Sequence, residues 1–364
     1  MSALAVECGA INLSQGFPDF DAPAALCNAL GAAASGGHNQ YAPMAGLPAL
    51  RQQIANQLDR HRQVHCDWEQ EITVVPGATE GIFCAITATI RPGDEVIVLD
   101  PCYDSYEPAI ELAGGRAVHV ALSSPGFRPN WQRIEDAISP LTRMIIVNSP
   151  HNPCGATFSN DDMLSLQSLA ERYDLLVCSD EVYEYLVFDG QQHRSVLQYP
   201  DLRARSFAHF SFGKTYSVTG WKTGYCVAPP ALTAELRKVH QYVAFVAVTP
   251  VQQALADFMA IEPDYPLTLA RLYQAKRDRF CAALSDSRFS LAPSQGSYFQ
   301  LLDYSALSSQ PDVELCEQWT REHGIASIPI SIFYERAPGQ HLLRFCFAKN
   351  DATLDQAAEI LCRI

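Results

Sequence analysis

The chain has 364 residues, of which 48% are hydrophobic and 18% charged, a globular composition with a length typical of two domains. A formal net charge of −14 with scattered basic residues disfavours a nucleic-acid partner, and the apolar runs are too short to cross a membrane. Twelve cysteines without metal-binding spacing and an N-terminus without a secretion pattern predict a cytoplasmic protein.

Short runs of β-branched and other apolar residues alternate with helical patterns from about residue 70 onward. These runs lie at residues 72–75, 95–99, 116–120, 144–147, 175–178, 207–210 and 225–228. Such alternation predicts an α/β fold with a mainly parallel, seven-stranded sheet covered on both faces. The strands between residues 210 and 228 follow each other more directly, which favours one antiparallel member.

The pattern changes after about residue 263. A charged helix is predicted over residues 267–284, followed by short strands near 298–302, 325–328 and 342–347. This arrangement is typical of a smaller α+β domain. We therefore expect a large domain at residues 31–266 and a small domain made of residues 1–30 together with residues 267–364.

Two loops that follow predicted strands carry groups suited to ligand binding. The loop P-G-A-T-E-G, residues 76–81, opens a predicted helix whose free N–H groups attract anions, and Thr79 adds a hydroxyl. Glycine at such a turn is also common for purely structural reasons. The loop N-S-P-H-N-P-C-G, residues 148–155, places Asn152 where open α/β sheets bind ligands, although a plain Asn-Pro turn is the alternative.

Three further motifs carry charged residues at or near strand ends. Asp180 of S-D-E-V-Y ends an apolar strand, where a carboxylate needs a partner such as a protonated pyridine nitrogen, unless it caps a helix. Lys214 of S-F-G-K-T-Y has Ser211 and Lys222 beside it in a run of small and aromatic residues, whereas a lone lysine is usually on the surface. Arg344 of L-R-F-C-F suits a substrate carboxylate held through two bonds, or a structural salt bridge.

Together these three charged groups match the chemistry of pyridoxal phosphate (PLP). The amine of Lys214 would hold the aldehyde cofactor, the carboxylate of Asp180 would keep the pyridine nitrogen protonated, and Arg344 would bind a substrate carboxylate. A dinucleotide oxidoreductase is disfavoured because no G-x-G-x-x-G follows the early strands.

The motifs resemble those of the class I/II, fold-type I PLP-dependent aminotransferases over nearly the whole chain. Three segments are similar to the branch that contains bacterial methionine aminotransferase and the kynurenine aminotransferases. They are S-Q-G-F-P-D-F (14–20), N-Q-Y-A-P-M-A-G (39–46) and F-G-K-T-Y-S-V-T-G-W-K-T-G-Y (212–225). The resemblance implies PLP as the cofactor, an amino acid and a 2-oxo acid as substrates, and a homodimer with shared active sites.

The resemblance also implies a role for each matching residue. Lys214 would bind the cofactor covalently and move the proton, Asp180 would pair with the pyridine nitrogen, and Tyr103 would stack on the ring. Asn152 and Tyr183 would bind the phenolate oxygen of the cofactor.

Two further sets of residues follow from the same resemblance. Those implied to hold the cofactor phosphate are Ala78, Thr79, Ser211 and Lys222, with Tyr41 reaching the phosphate of the other subunit. Those implied to bind the substrate are Gly16, Phe17, Asn152, Phe245 and Arg344. Many relatives carry arginine at the position of Lys222, where lysine keeps the charge but loses the two-pronged geometry.

Transamination is the leading hypothesis for the function. A cysteine-conjugate β-lyase would use the same residues and stays open as an alternative. A non-catalytic PLP-binding regulator is a remote alternative, because such regulators carry an N-terminal DNA-binding module and this chain is acidic.

The amino donor is predicted from the segment that follows residue 240. Residues 241–249 hold no lysine or arginine to bind a distal carboxylate, whereas Phe245 offers aromatic surface, as do Phe17 and Tyr103. We therefore expect methionine and the aromatic amino acids phenylalanine, tyrosine and tryptophan as donors ahead of aspartate, with histidine or kynurenine as further candidates.

Overall fold

The computed structural model describes residues 1–364, with one large and two small sheets. The strands are β1 (Ile11–Asn12), β2 (Ile72–Val75), β3 (Glu95–Asp100), β4 (Arg116–Ala121), β5 (Thr142–Asn148), β6 (Leu176–Asp180), β7 (Ser206–Ser211), β8 (Gly224–Val227), β9 (Phe299–Asp303), β10 (Ile325–Ala326), β11 (Ile328–Pro329) and β12 (Leu342–Cys346). The α-helices are α1 (Ser2–Cys8), α2 (Ala24–Ser35), α3 (Pro48–Arg62), α4 (Ala78–Thr89), α5 (Tyr106–Leu112), α6 (Trp131–Asp136), α7 (Asn160–Arg172), α8 (Pro200–Arg203), α9 (Phe212–Thr215), α10 (Pro230–Val243), α11 (Thr249–Ile261), α12 (Leu269–Ala283), α13 (Asp312–Glu322) and α14 (Asp351–Leu361). Short 3₁₀ helices lie at Val196–Gln198, Thr219–Trp221, Tyr265–Thr268 and Ser331–Phe333.

The large sheet has seven strands in the order β2-β8-β7-β6-β5-β3-β4. Its neighbours are parallel except at β8, which runs antiparallel to β2 and β7. This confirms the predicted α/β fold with a mainly parallel seven-stranded sheet and one antiparallel member. In β5, Ile145 and Val147 belong to one buried core, and Met144 and Ile146 belong to another. Such alternation is expected of a strand that packs against helices on both faces.

The two small sheets pack with helices α12 to α14 around a separate core that includes Leu13. Strand β12 lies between β11 and β9 with antiparallel pairing, and β1 pairs parallel with β10. The predicted single strand at 325–328 was wrong, because the chain changes its partner there from β1 to β12 and forms two short strands.

The domain boundaries stay a prediction. Helix α2 crosses the predicted boundary at residue 30 and packs against α11, and its Leu26 belongs to the core of the large sheet. No helix combines the length and the apolar character that a membrane crossing requires.

The parallel strands bring the ends of several motifs to one edge of the large sheet. Asn148, Asp180 and Ser211 are the last residues of β5, β6 and β7, which are neighbours in the sheet. Because the three strands run in the same direction, these residues lie at the same edge, and the loops that follow them meet there.

Candidate active site

A cavity of about 400 Å³ opens at this edge of the sheet and collects most of the predicted site residues. The predicted residues that line it are Gly16, Ala78, Thr79, Tyr103, Asn152, Asp180, Tyr183, Ser211, Lys214, Lys222 and Arg344. Residues as distant in sequence as Gly16 and Arg344 line this cavity, so only the folded chain brings them together.

Lys214 lies in the short helix α9, directly after β7, and its side chain is partly buried. Its Nζ donates hydrogen bonds to the hydroxyl of Tyr298 at 2.8 Å and to the carbonyl of Gly16 at 3.3 Å. Burial lowers the pKa of the Lys214 ammonium to about 8. Near neutral pH a larger share of this amine is therefore unprotonated than for an exposed lysine, as a nucleophilic amine requires.

Asp180 is a buried carboxylate at the floor of the cavity, with 5% of the residue exposed. Its Oδ2 accepts a 2.6 Å hydrogen bond from the hydroxyl of Tyr106, and its Oδ1 accepts one from the backbone of Val182 at 3.3 Å. Burial raises the pKa of Asp180 to about 6, although the Tyr106 bond opposes this shift. No cation lies within ion-pair distance of the carboxylate, so a protonated ring nitrogen in the cavity would supply its missing partner.

The N-terminus of α4 lines one end of the cavity with groups suited to an anion. Gly77 precedes this helix with a φ of 79°, and a Cβ there would lie 3.5 Å from the Nζ of Lys222. Ala78 and Thr79 begin the helix, so their N–H groups point out of its N-terminus, and the hydroxyl of Ser211 lines the same cavity. Together these donors fit a phosphate group.

Arg344 projects from β12 and is 7% exposed. Its guanidinium carbon lies 4.0 Å from the ring centroid of Phe299 and 5.2 Å from that of Phe333. One terminal nitrogen donates to Oδ1 of Asn152 at 2.7 Å, another donates to the carbonyl of Ser14 at 2.9 Å, and Nε has no partner. Burial lowers the pKa of this guanidinium, which has no carboxylate partner in the chain. It is therefore suited to a carboxylate that a substrate brings.

Two tyrosines of the site were missed by the sequence analysis. Tyr106, at the start of α5, bonds to Asp180, and Tyr298 accepts from Lys214 and donates to the carbonyl of Gly16 at 2.5 Å. The available signal for Tyr106 was its spacing from Tyr103, a predicted site residue. Residues three apart around the start of a helix lie on the same side of the chain. The second has no local signal, because its partners are far away in sequence.

Three predicted residues do not line the cavity. Phe17 follows Gly16, but its ring lies under the ammonium of Lys349 at 4.3 Å. Tyr41 and Phe245 pack edge to face at 5.4 Å between ring centroids on an exposed surface. Their roles, like the roles of the residues that do line the cavity, stay predictions.

The fold and the donors of the cavity define a class of protein. A large α/β sheet with a lysine amine, a buried carboxylate and a phosphate-sized anion site at its carboxyl edge is the arrangement of a fold-type I PLP-dependent transferase. The residues present fit PLP, because Asp180 and Lys222 line the cavity without an ionic partner in the chain and are suited to a protonated ring nitrogen and a phosphate group.

Comparison with known proteins gives the family. A model of the family "Aminotransferase class I and II" matches residues 9–361. Methionine aminotransferase of Escherichia coli (strain K12) is 50% identical over 361 residues, which cover 99% of this chain and 94% of that protein. Kynurenine–oxoglutarate transaminase 3 of Rattus norvegicus is 35% identical over 387 residues, which cover 98% of this chain and 85% of that protein.

Solved structures agree with this assignment. A crystal structure from Escherichia coli that identified a methionine aminotransferase function has a TM-score of 0.98 at 49% identity, covering 100% of this chain and 96% of that chain. N-Succinyldiaminopimelate aminotransferase from Mycobacterium tuberculosis has a TM-score of 0.97 at 39% identity, covering 100% of this chain and 95% of that chain. The chain belongs to the class I and II aminotransferases, which are PLP-dependent enzymes.

Proposed function

We propose that the enzyme transfers the amino group of methionine or an aromatic amino acid to a 2-oxo acid, with the two substrates using one site in turn. The observation that carries this proposal is the apolar wall beside Arg344, formed by Ile328, Ile332 and Phe333. A thioether or an aromatic ring gains from contact with such a wall, whereas an unpaired carboxylate there would lose its hydration. The 50% identity to a methionine aminotransferase supports the same donor.

Arg344 and Asn152 would orient the substrate. The guanidinium would hold the α-carboxylate, with its plane kept in place by the rings of Phe299 and Phe333. This would fix the α-carbon and its hydrogen relative to Lys214, which enters the same cavity from the helix that follows β7 of the large sheet. Binding at a fixed orientation is itself a large part of catalysis.

Lys214 would then move the proton. When bound, PLP supplies a ring that accepts the electrons of the α-carbon, and Asp180 would keep the ring nitrogen protonated so that it can do so. The amine of Lys214 would take the proton from the α-carbon of the amino donor. In the second half of the reaction it would deliver a proton to the α-carbon that comes from the 2-oxo acid. Tyr298 holds the Nζ of Lys214 at 2.8 Å and keeps it in the cavity.

The donor preference is tested with a panel of amino acids and one fixed acceptor. We expect kcat/KM for methionine and phenylalanine to exceed that for aspartate by about tenfold or more, because the distal carboxylate of aspartate would meet the apolar wall. A higher kcat/KM for aspartate than for both methionine and phenylalanine would overturn the proposed donor. A cysteine conjugate belongs in the same panel, since release of pyruvate and ammonia without any acceptor would identify β-lyase activity.

We also propose a homodimer whose two active sites are shared. Tyr41 is 84% exposed and packs against Phe245, and the exposed Tyr242 and Val248 lie close to Phe245 in the chain, so this part of the molecule offers apolar surface to solvent. The loop of Tyr41 is attached to this surface by a 3.1 Å bond from the Ala42 backbone to the hydroxyl of Thr249. An exposed apolar surface of this kind favours association with a second copy of the chain.

Shared sites are tested by subunit exchange between two inactive variants. In a hybrid dimer the Tyr41→Phe chain supplies an intact Lys214 and the Lys214→Ala chain supplies an intact Tyr41. One of the two sites is then complete, and the other lacks both residues. Mixing the two proteins is expected to restore activity to at most about a quarter of the wild-type rate, since random exchange makes half of the dimers hybrid.

The matched control for this exchange is a double variant. Mixing Tyr41→Phe with a chain that carries both Tyr41→Phe and Lys214→Ala creates no intact site and should restore nothing. Equal activity in the two mixtures, after exchange has been demonstrated by mass, would contradict a shared site.

Cytoplasmic location and the lack of a nucleic-acid or membrane partner stay proposals from the sequence. The structure adds that all twelve cysteines are free, as expected for reduced thiols.

A further inference from the structure

The cations of the cavity already have binding partners in the proposed function. Lys214 binds the cofactor, Lys222 binds its phosphate, and Arg344 binds the α-carboxylate of the substrate. The cavity is lined by no other lysine or arginine. A second carboxylate on a substrate would therefore find no further lysine or arginine in the lining of the cavity.

One acidic side chain stands at the mouth of the same cavity. Asp104 lines the cavity, is exposed, and makes neither a hydrogen bond nor an ion pair through its carboxylate. It follows Tyr103, which also lines the cavity. Asp104 lines the same cavity as Arg344, the residue proposed to bind the α-carboxylate of the substrate.

The wall that completes this end of the cavity is apolar. Ile332 is 54% exposed and lies with Phe333 in the 3₁₀ helix Ser331–Phe333, and Ile328 lies in β11, just before that helix. A negative charge at the mouth and an apolar wall both oppose a negatively charged side chain on the substrate.

We propose that Asp104 is a specificity-determining residue, and that the amino acceptor is a 2-oxo acid with a single carboxylate and an apolar side chain. This inference rests on the proposed function, in which donor and acceptor occupy the same site in turn. The charge and the wall that select a neutral donor side chain therefore also meet the acceptor. Acceptors with a second carboxylate, such as 2-oxoglutarate, are disfavoured by Asp104.

The test separates the two halves of the reaction. Holoenzyme is first mixed with methionine alone, and the change in the absorption spectrum of its cofactor reports the donor half. The aminated enzyme is then freed of methionine and mixed with phenylpyruvate or with 2-oxoglutarate in a stopped-flow instrument. The second-order rate constant for phenylpyruvate is expected to exceed that for 2-oxoglutarate by about tenfold or more.

The variant Asp104→Asn tests the assigned residue, and Asp104→Glu is its charge-preserving control. The asparagine variant is expected to lower the ratio of the two rate constants about three- to tenfold, the size of a single charge repulsion at a solvated site. The glutamate variant should keep the ratio. Added salt should raise the 2-oxoglutarate rate more in the wild type than in Asp104→Asn, because salt screens the repulsion.

The acceptor half of the reaction tests the inference about Asp104, and the donor half tests the proposed amino donor. A wild-type preference for 2-oxoglutarate, or an unchanged ratio and salt response in Asp104→Asn, would overturn the inference about Asp104. No spectral change with methionine would overturn the proposed donor instead. In that case the acceptor half is measured on enzyme reconstituted with pyridoxamine phosphate, so the Asp104 inference is still tested.

Discussion

Replacing Lys214 with alanine is expected to lower kcat for transamination by about a thousandfold or more, because the variant loses both the amine proposed to bind the cofactor and the base proposed to move the proton. The Nζ of Lys214 lies 2.8 Å from the hydroxyl of Tyr298, whereas the other lysine of the cavity, Lys222, lies beside Gly77 at the proposed phosphate site. The loss is measured as the steady-state rate with methionine and a saturating 2-oxo acid.

Lys238→Ala is the matched control for this variant. Lys238 lies on α10 with a 68% exposed side chain that pairs with Glu235, so its removal should leave the rate within about twofold of the wild type. The folded fraction of both variants is compared by thermal unfolding. A Lys214→Ala protein that keeps a tenth or more of the wild-type kcat would contradict the role of this lysine.

Replacing Asp180 with asparagine is expected to lower kcat about a hundred- to a thousandfold while the fold is kept. The amide has nearly the same shape and can still accept the hydrogen bond of Tyr106, but it carries no charge to hold a protonated ring nitrogen. The measurement is single-turnover reaction of holoenzyme with methionine, which follows the chemical step without product release.

Tyr106→Phe provides a graded comparison for the Asp180 variant. It removes only the 2.6 Å hydrogen bond and leaves the carboxylate charged, so its loss in rate should be clearly smaller. If Asp180→Asn reacts at nearly the wild-type rate, or if the two variants lose rate equally, the charge of Asp180 is not what supports the reaction.

The sequence was sufficient to predict the strands of the large sheet and the charged residues near their ends. Strands such as β5 are apolar on both faces, a pattern that depends on local sequence alone. Asp180 ends β6 and Lys214 lies in the helix that follows β7, so their place at the carboxyl edge follows from the parallel topology.

The contacts that tune these groups could not be predicted from the sequence. Tyr106 and Asp180 are 74 positions apart, and Tyr298 and Gly16 are 282 positions apart, so only the folded chain brings them together. The division of residues 325–328 into two strands has the same origin, because each half pairs with a different distant segment. Tyr41 and Phe245 likewise meet only in the folded chain.

Covalent attachment of the cofactor to Lys214 is tested most directly by reduction of the purified holoenzyme with borohydride, followed by peptide mass spectrometry. We predict one modified peptide, the one that contains Lys214, with the added mass of a reduced pyridoxal phosphate group. A modification on Lys222 or any other lysine instead, or a fully loaded enzyme with no modified lysine, would contradict the assignment of Lys214.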